Sequence, residues 1–431
     1  MDTQKVNIKP RMFRGKPVVR MHAMAKPIGP VCNLNCSYCY YISKGDLLHT
    51  NNHWRMPDEV LETFIKQYIE GQNYKEVIFS WQGGEPTLLG LDFFRKVIEL
   101  EKRYAPSYMR CENDLQTNGV LLNDEWCRFL KENNFLVGLS IDGPRDLHDH
   151  YRKDKNGNGT FDRVFNAARL LKKHGVRFAT LSCVNRITGQ HPLDVYRFIR
   201  DKVGSLRMQF IPIVEPKIFR TVAPQFWPQD SMPLMDDPQA RPGYSDSVVA
   251  DWCVDPDVYG DFLIKIFDEW RKKDLGKIHV HFFDCAVEQW MGRISPLCVF
   301  GPICGKGVAV EHDGNVYACD HYVYPEYCAG NILDTPLIDT VLSKRQEQFG
   351  YAKDFMLPGR CRVCPYLFAC AGECPKNRFI RTPEGDPGLN YLCKGLRRYF
   401  AHIDPHIQKI VREMGYEPVE GVNKTKEILT N

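Results

Sequence analysis

The sequence lacks long apolar runs, an excess of charge of one sign, and an apolar leader at its N-terminus. No segment of the 431 residues approaches the ~20 apolar residues that a membrane span needs. The 57 basic and 53 acidic residues leave a net charge of +4, so we expect no nucleic-acid partner and no membrane partner. The first twenty residues are polar and basic, which is not typical of a secretory signal, and we expect a cytoplasmic protein.

Cysteine, in contrast, is abundant, with 17 residues in the chain. Because disulfides are rare in a reducing cytoplasm, we expect these thiols to bind metal, to react or to pack in the core. Three lie between Cys32 and Cys39, and eight of the nine from Cys298 to Cys393, all except Cys328, form a second set. Six others are scattered, and we interpret them as small buried residues: Cys111, Cys127, Cys183, Cys253, Cys285 and Cys328.

Strand-like apolar runs alternate with amphipathic helices from residue 18 to about 285, which predicts an α/β fold. Repeated strand–helix units with right-handed crossovers imply a parallel sheet that is either open or barrel-like. The helix periodicity is clear in Asp58–Glu70 and in Phe161–Lys173, where Thr160 is a candidate N-cap and Gly175 a left-handed C-terminal residue. The predicted strands are Val18–Met24, Val77–Trp81, Glu112–Thr117, Leu136–Ile141, Phe178–Val184, Arg207–Ile213 and His279–Phe283.

Three of these strands end in polar, glycine-containing loops, at residues 81–86, 116–119 and 140–144. In a parallel barrel the loops after the strands build the active site, so we place the site there. Residues 215–256 are rich in proline and aspartate and interrupt the strand–helix alternation. This long excursion is consistent with a lid, a partner surface or ordered packing.

Cys32, Cys36 and Cys39 form a Cys-x3-Cys-x2-Cys motif directly after the first predicted strand. Three thiolates can hold three corners of a 4Fe–4S cluster and leave one iron open for a substrate or cofactor. Tyr38 precedes the last cysteine and is a candidate for stacking on an adenine. The alternative is a zinc site whose fourth ligand is His49 or His53.

This spacing resembles the signature of radical S-adenosylmethionine (SAM) enzymes. The run Gly83-Gly84-Glu85-Pro86 resembles their GGE motif, which contacts the methionine amino group of the cofactor. The resemblance implies an α/β core built as a partial (β/α)6-type TIM barrel, which we assign to residues 1–285. It also implies that one 4Fe–4S cluster binds S-adenosylmethionine.

The C-terminal cysteines resemble the cysteine-rich SPASM domain, which carries two auxiliary 4Fe–4S clusters, and we assign this domain to residues 286–400. Two zinc ribbons are the alternative, since Cys-x2-Cys pairs commonly bind zinc. Residues 401–431 are assigned to a C-terminal helix and tail. The resemblance implies two ligand sets: Cys298, Cys304, Cys319 and Cys374 for one cluster, and Cys361, Cys364, Cys370 and Cys393 for the other.

Among SPASM proteins, the chain resembles the anaerobic sulfatase-maturating enzymes along roughly residues 25–400. The supporting segments include CNLNCSYCYY, WQGGEPTLLGLDFF, LQTNGVLLND and VEHDGNVYACDHYV. The implied reaction converts a Cys or Ser of a sulfatase polypeptide to Cα-formylglycine, after a 5′-deoxyadenosyl radical removes a β-hydrogen. Asp320 matches the family's catalytic base, and the auxiliary clusters accept an electron.

The resemblance also implies roles for residues around the cofactor. Ser140 is expected to contact its methionyl carboxylate or ribose, Arg152 to pair with the carboxylate through a bidentate fork, and Met208 to pack on its adenine. Gln82 is the candidate contact to the substrate peptide. The predicted cofactor-binding residues are Tyr38, Gly84, Ser140, Arg152 and Met208.

We expect a monomer that receives the sulfatase polypeptide in extended form and electrons from a flavodoxin or ferredoxin. One alternative is another SPASM enzyme that forms thioethers or epimerises residues in a peptide. Only about thirty residues precede Cys32, which argues against a domain of ~80 residues for binding a leader peptide. A second alternative is a non-catalytic iron–sulfur electron carrier or zinc scaffold.

Overall fold

The computed structural model describes residues 21–48, 54–72 and 74–419, together with the backbone of residues 12–13 and 16–17. The strands are β1 (Met12–Phe13), β2 (Lys16–Pro17), β3 (His22–Lys26), β4 (Glu76–Trp81), β5 (Arg110–Thr117), β6 (Leu136–Ser140), β7 (Arg177–Val184), β8 (Arg207–Pro212), β9 (His279–Val280), β10 (Gly307–Glu311), β11 (Asn315–Tyr317), β12 (Cys328–Asn331), β13 (Ile380–Arg381) and β14 (Pro387–Leu389).

The helices are α1 (Lys44–Leu48), α2 (Asp58–Glu70), α3 (Leu91–Tyr104), α4 (Asp124–Glu132), α5 (Arg145–Tyr151), α6 (Phe161–Lys173), α7 (Pro192–Arg197), α8 (Pro256–Lys273), α9 (His281–Trp290), α10 (Leu337–Val341), α11 (Lys344–Phe355), α12 (Gly359–Arg362), α13 (Leu367–Cys370) and α14 (Cys393–Glu413). A π-helical segment, Phe198–Val203, continues α7. Short 3-10 turns lie at Pro86–Leu89, Thr188–Gln190, Gln229–Ser231, Pro238–Ala240, Cys298–Phe300, Asp320–Tyr322, Pro325–Tyr327 and Pro375–Asn377.

A ten-stranded sheet runs through the molecule in the order β12-β11-β10-β3-β4-β5-β6-β7-β8-β9. The strands from β10 to β9 are parallel, and helices connect the successive strands β3 to β9 on the outer face. The prediction of an α/β fold with a partial barrel is therefore confirmed. Because the strands are parallel, the loops after β3, β4, β5 and β6 meet at one edge of the sheet, as the polar loop sequences predicted.

Aromatic side chains fill the space between the first half of the sheet and α2, α3 and α4. Trp81 is fully buried on β4, and its indole donates to the Asn113 Oδ1 at 2.6 Å. Its ring meets Phe64 of α2 and Phe94 of α3 edge-on, with centroids about 6 Å apart. This packing fixes the end of β4, from which the Gly83–Gly84 loop departs.

The C-terminal segment adds its own strands to the barrel sheet. β10 pairs in parallel with β3, from Gly307 opposite His22 to Glu311 opposite Lys26. β11 and β12 continue the sheet in antiparallel pairing. The sheet is thus continuous across the predicted domain boundary at residues 285–286. As a result, Tyr317 at the end of β11 lies level with Met24 of β3, with Ala309 of β10 between them.

Two glycines allow α14 to pack closely against α8. A Cβ on Gly395 would lie 1.8 Å from the carbonyl oxygen of Pro256, and a Cβ on Gly260 would lie 2.7 Å from that of Gly395. Neither position therefore accepts a larger residue without separating the helices. This contact holds the C-terminal helix against the last barrel helix.

Three local predictions differ from the structure. The strand predicted at Val18–Met24 corresponds to β3, which begins at His22 and ends at Lys26, two residues after the predicted end. Residues 18–20 of the predicted strand lie outside the described part. The strand predicted at His279–Phe283 ends at Val280, because α9 begins at His281. Thr160 does not cap α6 with its side chain. Asp149 does so instead, since its Oδ1 accepts from the backbone N–H groups of Thr160 and Phe161.

Other helix predictions are confirmed. α2 and α6 have the predicted bounds, and Gly175 adopts a left-handed φ of +63° after α6. None of the helices in the described ranges, including the 21-residue α14, combines the length and apolar character that crossing a bilayer requires.

The excursion at residues 215–256 lies against the C-terminal segment. Trp227 packs on Phe379 with ring centroids 5.1 Å apart. The hydroxyl of Tyr324 donates to the carbonyl of Phe219 at 2.6 Å, and a bridge joins Leu234 to Arg381. These contacts give the excursion a physical role as a connection between the barrel and the cysteine-rich segment.

Candidate active site

The first cysteine motif lies in the loop after β3, at the carboxyl edge of the sheet. Hydrogen bonds from Asn35 to the carbonyl of Lys153, and from Ser37 to that of Tyr151, tie this loop to the segment after α5. The Cys32 Sγ accepts from the Leu34 backbone N–H at 3.3 Å. The sequence motif is thereby held as a compact loop with its sulfur atoms facing polar donors.

The glycine pair allows the loop after β4 to touch this cysteine loop. A Cβ on Gly84 would lie 2.0 Å from the carbonyl oxygen of Val31, and Gly83 has a φ of +119°. Gly84 donates to the Gly29 carbonyl at 2.8 Å, and Glu85 donates to that of Val31 at 2.9 Å. Gly84 is therefore required for the close approach of two backbones, independently of any contact to a cofactor.

Glu85 is fully buried and holds the next loop in place. Its Oε1 accepts from the hydroxyls of Thr87 and Thr117, and its Oε2 accepts from the Asn118 backbone N–H at 2.8 Å. Asn118 in turn directs its side-chain N–H group toward the Cys32 Sγ, at 3.8 Å. The glutamate thus positions the loop after β5 against the cysteine loop.

Tyr38 and Arg152 meet at a buried carboxylate. The Tyr38 hydroxyl donates to the Asp142 Oδ2 at 2.5 Å, and the Arg152 Nε lies 3.0 Å from the same oxygen. Arg152 also directs an Nη2 hydrogen toward the Cys183 Sγ at 3.7 Å. Part of the predicted bidentate fork of Arg152 is therefore used by Asp142, which leaves Nη1 and the remaining Nη2 hydrogen for a ligand.

His148 supports this carboxylate from behind. Its Nδ1 accepts from the Asp142 backbone N–H at 3.3 Å, and its Nε2 lies 3.0 Å from the Thr160 hydroxyl. That hydroxyl donates to the Arg152 carbonyl, so the histidine is the donor to Thr160. Burial, aided by the charge of Arg152, lowers the pKa of His148 to about 3, so the ring stays neutral at physiological pH.

The other predicted cofactor and substrate residues lie at the ends of neighbouring strands. Ser140 ends β6 and accepts from the Gln116 side chain at 2.8 Å. Met208 is buried within β8. Gln82 follows β4 half-buried, with its backbone N–H bonded to the Ala25 carbonyl. The fold brings these residues to the barrel, and their contacts to ligands stay predictions.

The eight C-terminal cysteines form two spatial groups. In the first, burial raises the pKa values of Cys298, Cys304, Cys319 and Cys374, and charges within the group add to the rise for Cys298, Cys319 and Cys374. In the second, burial and then Cys393, Cys361 and Cys364 raise the pKa of Cys370. Burial, Cys361 and Cys364 raise the pKa of Cys393 to about 12. The two groups contain the same residues as the two predicted ligand sets, and the binding of a cluster by either group stays a prediction.

The donor chemistry of all three cysteine groups fits iron–sulfur clusters. In the first motif, burial raises the pKa of Cys32 to about 11 and that of Cys36 to about 12, and a bound metal would deprotonate both thiols. Backbone N–H groups lie near the sulfurs of Cys32, Cys39 and Cys319, where they would stabilise thiolates. Zinc would accept the same thiolates, but the first motif offers three with no described fourth ligand; His49 and His53 lie outside the described residues.

Asp320 lies between the first motif and the C-terminal cysteines. It follows Cys319 directly, forms an ion pair with Lys26, and accepts from the Tyr40 hydroxyl at 2.7 Å. Burial would raise the pKa of Asp320, but the charge of Lys26 and the donated hydrogen bonds lower it to about 2. The carboxylate is therefore ionised and held in one position, with Tyr40 next to Cys39.

A second buried charge pair borders this region. Lys376 donates to the Glu215 Oε1 at 2.8 Å and to the Val214 carbonyl at 2.5 Å. Nearby, the Lys44 ammonium lies 3.2 Å from the centre of the Tyr324 ring. Burial lowers the pKa of Lys44 to about 7. Barrel, excursion and C-terminal segment thus all contribute charged groups around Asp320.

Comparison with known families and proteins identifies the family to which this arrangement belongs. A model of the radical SAM superfamily matches residues 27–199, and a model of an iron–sulfur cluster-binding domain, SPASM, matches residues 298–365. A serine-type anaerobic sulfatase-maturating enzyme of Bacteroides thetaiotaomicron is 45% identical over 91% of this chain and 92% of that protein. The chain belongs to the anaerobic sulfatase-maturating enzymes. It is accordingly a radical SAM oxidoreductase.

Solved structures agree with this membership. Native anSMEcpe with bound AdoMet and Cp18Cys peptide has a TM-score of 0.77 and 31% identity, over 91% of this chain and 99% of that one. A cysteine-type anaerobic sulfatase-maturating enzyme of Clostridium perfringens is 32% identical over 91% of this chain and 98% of that protein. Streptococcus suis SuiB bound to precursor peptide SuiA shares the fold alone, at 12% identity and a TM-score of 0.56.

Several residues of this maturase site were missed by the sequence analysis. Lys26 and Tyr40 are the partners of Asp320, and Asp142 joins Tyr38 to Arg152. Lys26 ends a buried strand directly before the cysteine loop, a position where a lysine needs a partner. The sequence could therefore have indicated that Lys26 needs a partner. It could not have indicated that the partner is Asp320, because that pairing depends on β10 lying beside β3.

Proposed function

We propose that this enzyme oxidises a serine or cysteine side chain of a sulfatase polypeptide to Cα-formylglycine. The observation that carries the proposal is the position of Asp320. It is an ionised carboxylate bonded to the residue after Cys39 on one side and adjacent to Cys319 on the other. When bound, the clusters and S-adenosylmethionine would supply two things: a 5′-deoxyadenosyl radical, which takes a β-hydrogen, and an acceptor for the electron that leaves the substrate.

The proposed role of Asp320 is to accept the hydroxyl or thiol proton of the substrate residue. A general base has to lie within hydrogen-bond reach of that proton, in a fixed orientation. Lys26 and Tyr40 provide the orientation, since one pairs with Oδ1 and the other donates to Oδ2. Lys26 is only 1% exposed, whereas the Asp320 side chain is 18% exposed, so the lysine is shielded from water while the carboxylate can still be reached.

The proposed cofactor sites use the three cysteine groups. Cys32, Cys36 and Cys39 would bind the cluster that holds S-adenosylmethionine, with Tyr38, Gly84, Ser140, Arg152 and Met208 lining the cofactor and Gln82 meeting the peptide. The two C-terminal groups would bind one auxiliary cluster each. In this proposal a flavodoxin or ferredoxin supplies the reducing electron, and the enzyme acts as a monomer on an extended segment of its substrate.

Serine is the proposed primary target. The serine-type relative is 45% identical to this chain, against 32% for the cysteine-type relative of Clostridium perfringens. Two peptides that differ only at the target residue, one with serine and one with cysteine, test this preference. A serine peptide that is left unchanged while the cysteine peptide is converted would contradict it.

The decisive experiment measures both products of the proposed reaction. The anaerobically reconstituted enzyme is incubated with S-adenosylmethionine, dithionite and a sulfatase-type peptide, and aldehyde and 5′-deoxyadenosine are measured by mass spectrometry. We expect the two products in equal amounts. Asp320→Asn should still form deoxyadenosine but yield little aldehyde, because the amide cannot take the proton.

Asp313→Asn is the matched control, because Asp313 lies in the turn between β10 and β11, and the described contacts of its carboxylate are hydrogen bonds from Asn315 alone. This variant should keep the wild-type ratio of aldehyde to deoxyadenosine. Deoxyadenosine without any change of either peptide would reject the sulfatase substrate and favour another peptide modification. Formation of neither product by a fully loaded protein would favour an electron carrier.

A further inference from the structure

Two histidines and an aspartate lie together on the outside of the α8–α14 pair. His402 and His406 are one turn apart on α14, and Asp268 is on α8. The His402 Nε2 lies 3.0 Å from the Asp268 Oδ1, and one nitrogen of each ring and a carboxylate oxygen all lie within 4.8 Å of one another. All three residues are half-buried, so the cluster is accessible from solvent.

This cluster lies where the two helices run side by side. Gly260 meets Gly395, and two helical turns further along both chains Asp268 meets His402. Because the glycine contact fixes the spacing of the helices, the three side chains are brought together by the fold. No step of the proposed reaction uses any of them.

The donor set suits a transition metal more than an alkaline-earth ion. Two imidazole nitrogens and one carboxylate oxygen are typical ligands of zinc. The three side chains would have to move by about an ångström for their ligand atoms to form bonds of ~2.0–2.2 Å to the ion. Histidines spaced four residues apart on one helix face give the geometry that zinc sites use. Burial, with the charges of Arg271 and His402, lowers the pKa of His406.

Arg271 is the competing cation. Its Nη2 lies 3.8 Å from the Asp268 Oδ1, one helical turn away on α8, which is a long contact for an ion pair. Both described contacts of the Asp268 carboxylate, with His402 and with Arg271, use Oδ1, so the second oxygen is available to a metal. His402 is the closer partner of Asp268, with its Nε2 at 3.0 Å from Oδ1.

We propose that Asp268, His402 and His406 bind one zinc ion, with water completing the coordination. The ion would join α14 to α8 and so stabilise the docking of the C-terminal helix on the barrel. Its effect would be on stability, since ligand binding to the folded state alone raises the unfolding temperature.

The test uses the holoenzyme, so that the cluster cysteines are occupied before zinc is added. The reconstituted protein is incubated anaerobically with zinc chloride and desalted, and zinc and iron are measured by mass spectrometry. We expect about one more zinc ion per chain in the wild type than in His406→Gln. We also expect zinc to raise the unfolding temperature of the wild type by roughly 2–4 °C and to leave that of the variant unchanged.

Two further variants complete the test. Asp268→Asn keeps an acceptor for His402 but removes the charged ligand, and it should also lose the extra zinc. His191→Gln removes an exposed histidine next to Asp194 on α7 and should bind zinc like the wild type. Equal zinc content in the wild type, His406→Gln and Asp268→Asn, all with unchanged iron, would overturn the proposal.

Discussion

Tyr40 donates its hydroxyl hydrogen to Asp320 at 2.7 Å, across 280 positions of the chain. Tyr40 directly follows the third cysteine of the first motif, and Asp320 directly follows a cysteine of the C-terminal segment. Lys26 at the end of β3 completes the contact with an ion pair to the same carboxylate. The two cysteine-rich segments are therefore joined by one buried polar cluster, and the positioning of Asp320 depends on both.

Replacing Tyr40 with phenylalanine should reduce aldehyde formation more than deoxyadenosine formation. The change removes a hydrogen bond to a charged, buried carboxylate, which is worth about 1.5–3 kcal/mol, and leaves Asp320 held by Lys26 alone. The ratio of the two products, measured by mass spectrometry, should fall several-fold. The unfolding temperature should fall as well.

Tyr41→Phe is the control that separates positioning from stability. Tyr41 is the neighbouring buried tyrosine, and it donates to Glu311 at 2.6 Å, on β10. Its loss should destabilise the protein to a similar extent while the product ratio stays at the wild-type value. Equal ratios in both variants would show that the Tyr40 hydroxyl does not position the base.

Removing one cysteine from either C-terminal group should remove one cluster. If each of the three cysteine groups binds a 4Fe–4S cluster, the wild type holds about twelve irons, and Cys304→Ala or Cys370→Ala should hold about eight. Iron and sulfide analysis after anaerobic reconstitution measures this. Cys127→Ala is the control, because Cys127 lies on the buried face of α4 and its replacement should leave the iron content unchanged. A wild type that holds zinc in place of part of the expected iron would support the zinc-ribbon alternative.

Alanine at Gly84 should disrupt the first cysteine motif specifically. The added Cβ would lie 2.0 Å from the Val31 carbonyl oxygen, so the two loops must separate, at a cost of about 1–3 kcal/mol. We expect a loss of about four irons and at least a ~10-fold fall in deoxyadenosine formation. Gly307→Ala on β10 is the control, since no atom lies within 4 Å of its added Cβ. Normal iron binding by Gly84→Ala would show that the loops tolerate separation.

Local signals in the sequence were sufficient to predict most strands and helices of the barrel. The 3.6-residue periodicity of Asp58–Glu70 and the apolar run ending at Trp81 both gave elements close to their observed bounds, because each depends on neighbouring residues alone. His281 was placed in a strand because the apolar run His279–Phe283 is too short for its period to distinguish strand from helix.

These local signals did not predict which distant segments of the chain pair with each other. The parallel contact of β10 with β3 brings Lys26 to Asp320, and neither residue's neighbours indicate the other. The polar loops and the cysteine spacing did indicate the edge of the sheet where the site lies. The loop that contains Asp142 was placed at the site, but its contacts to Tyr38 and Arg152 were not predicted, since an aspartate in a glycine-rich turn is equally expected as a surface residue.

Glu101 should make the stability of the barrel depend on pH between about 4.5 and 8. This glutamate of α3 is 5% exposed and accepts from the Asn113 side chain at 3.0 Å, and burial raises its pKa to about 8. Between the unfolded and folded pKa values the folded state keeps a proton that the unfolded state loses. Stability from this group is therefore complete at pH 4.5 and falls by about 1.4 kcal/mol per pH unit as the pH rises toward 8.

Glu101→Gln tests this directly, because the amide resembles the protonated acid and cannot ionise. The variant and the wild type should have similar unfolding temperatures at pH 5, and the variant should be the more stable at pH 8. Glu99→Gln, on the exposed face of the same helix, should not reproduce the difference. Parallel pH profiles of the wild type and Glu101→Gln would mean that the carboxyl is already ionised at pH 5, with Asn113 and Lys102 outweighing the effect of burial.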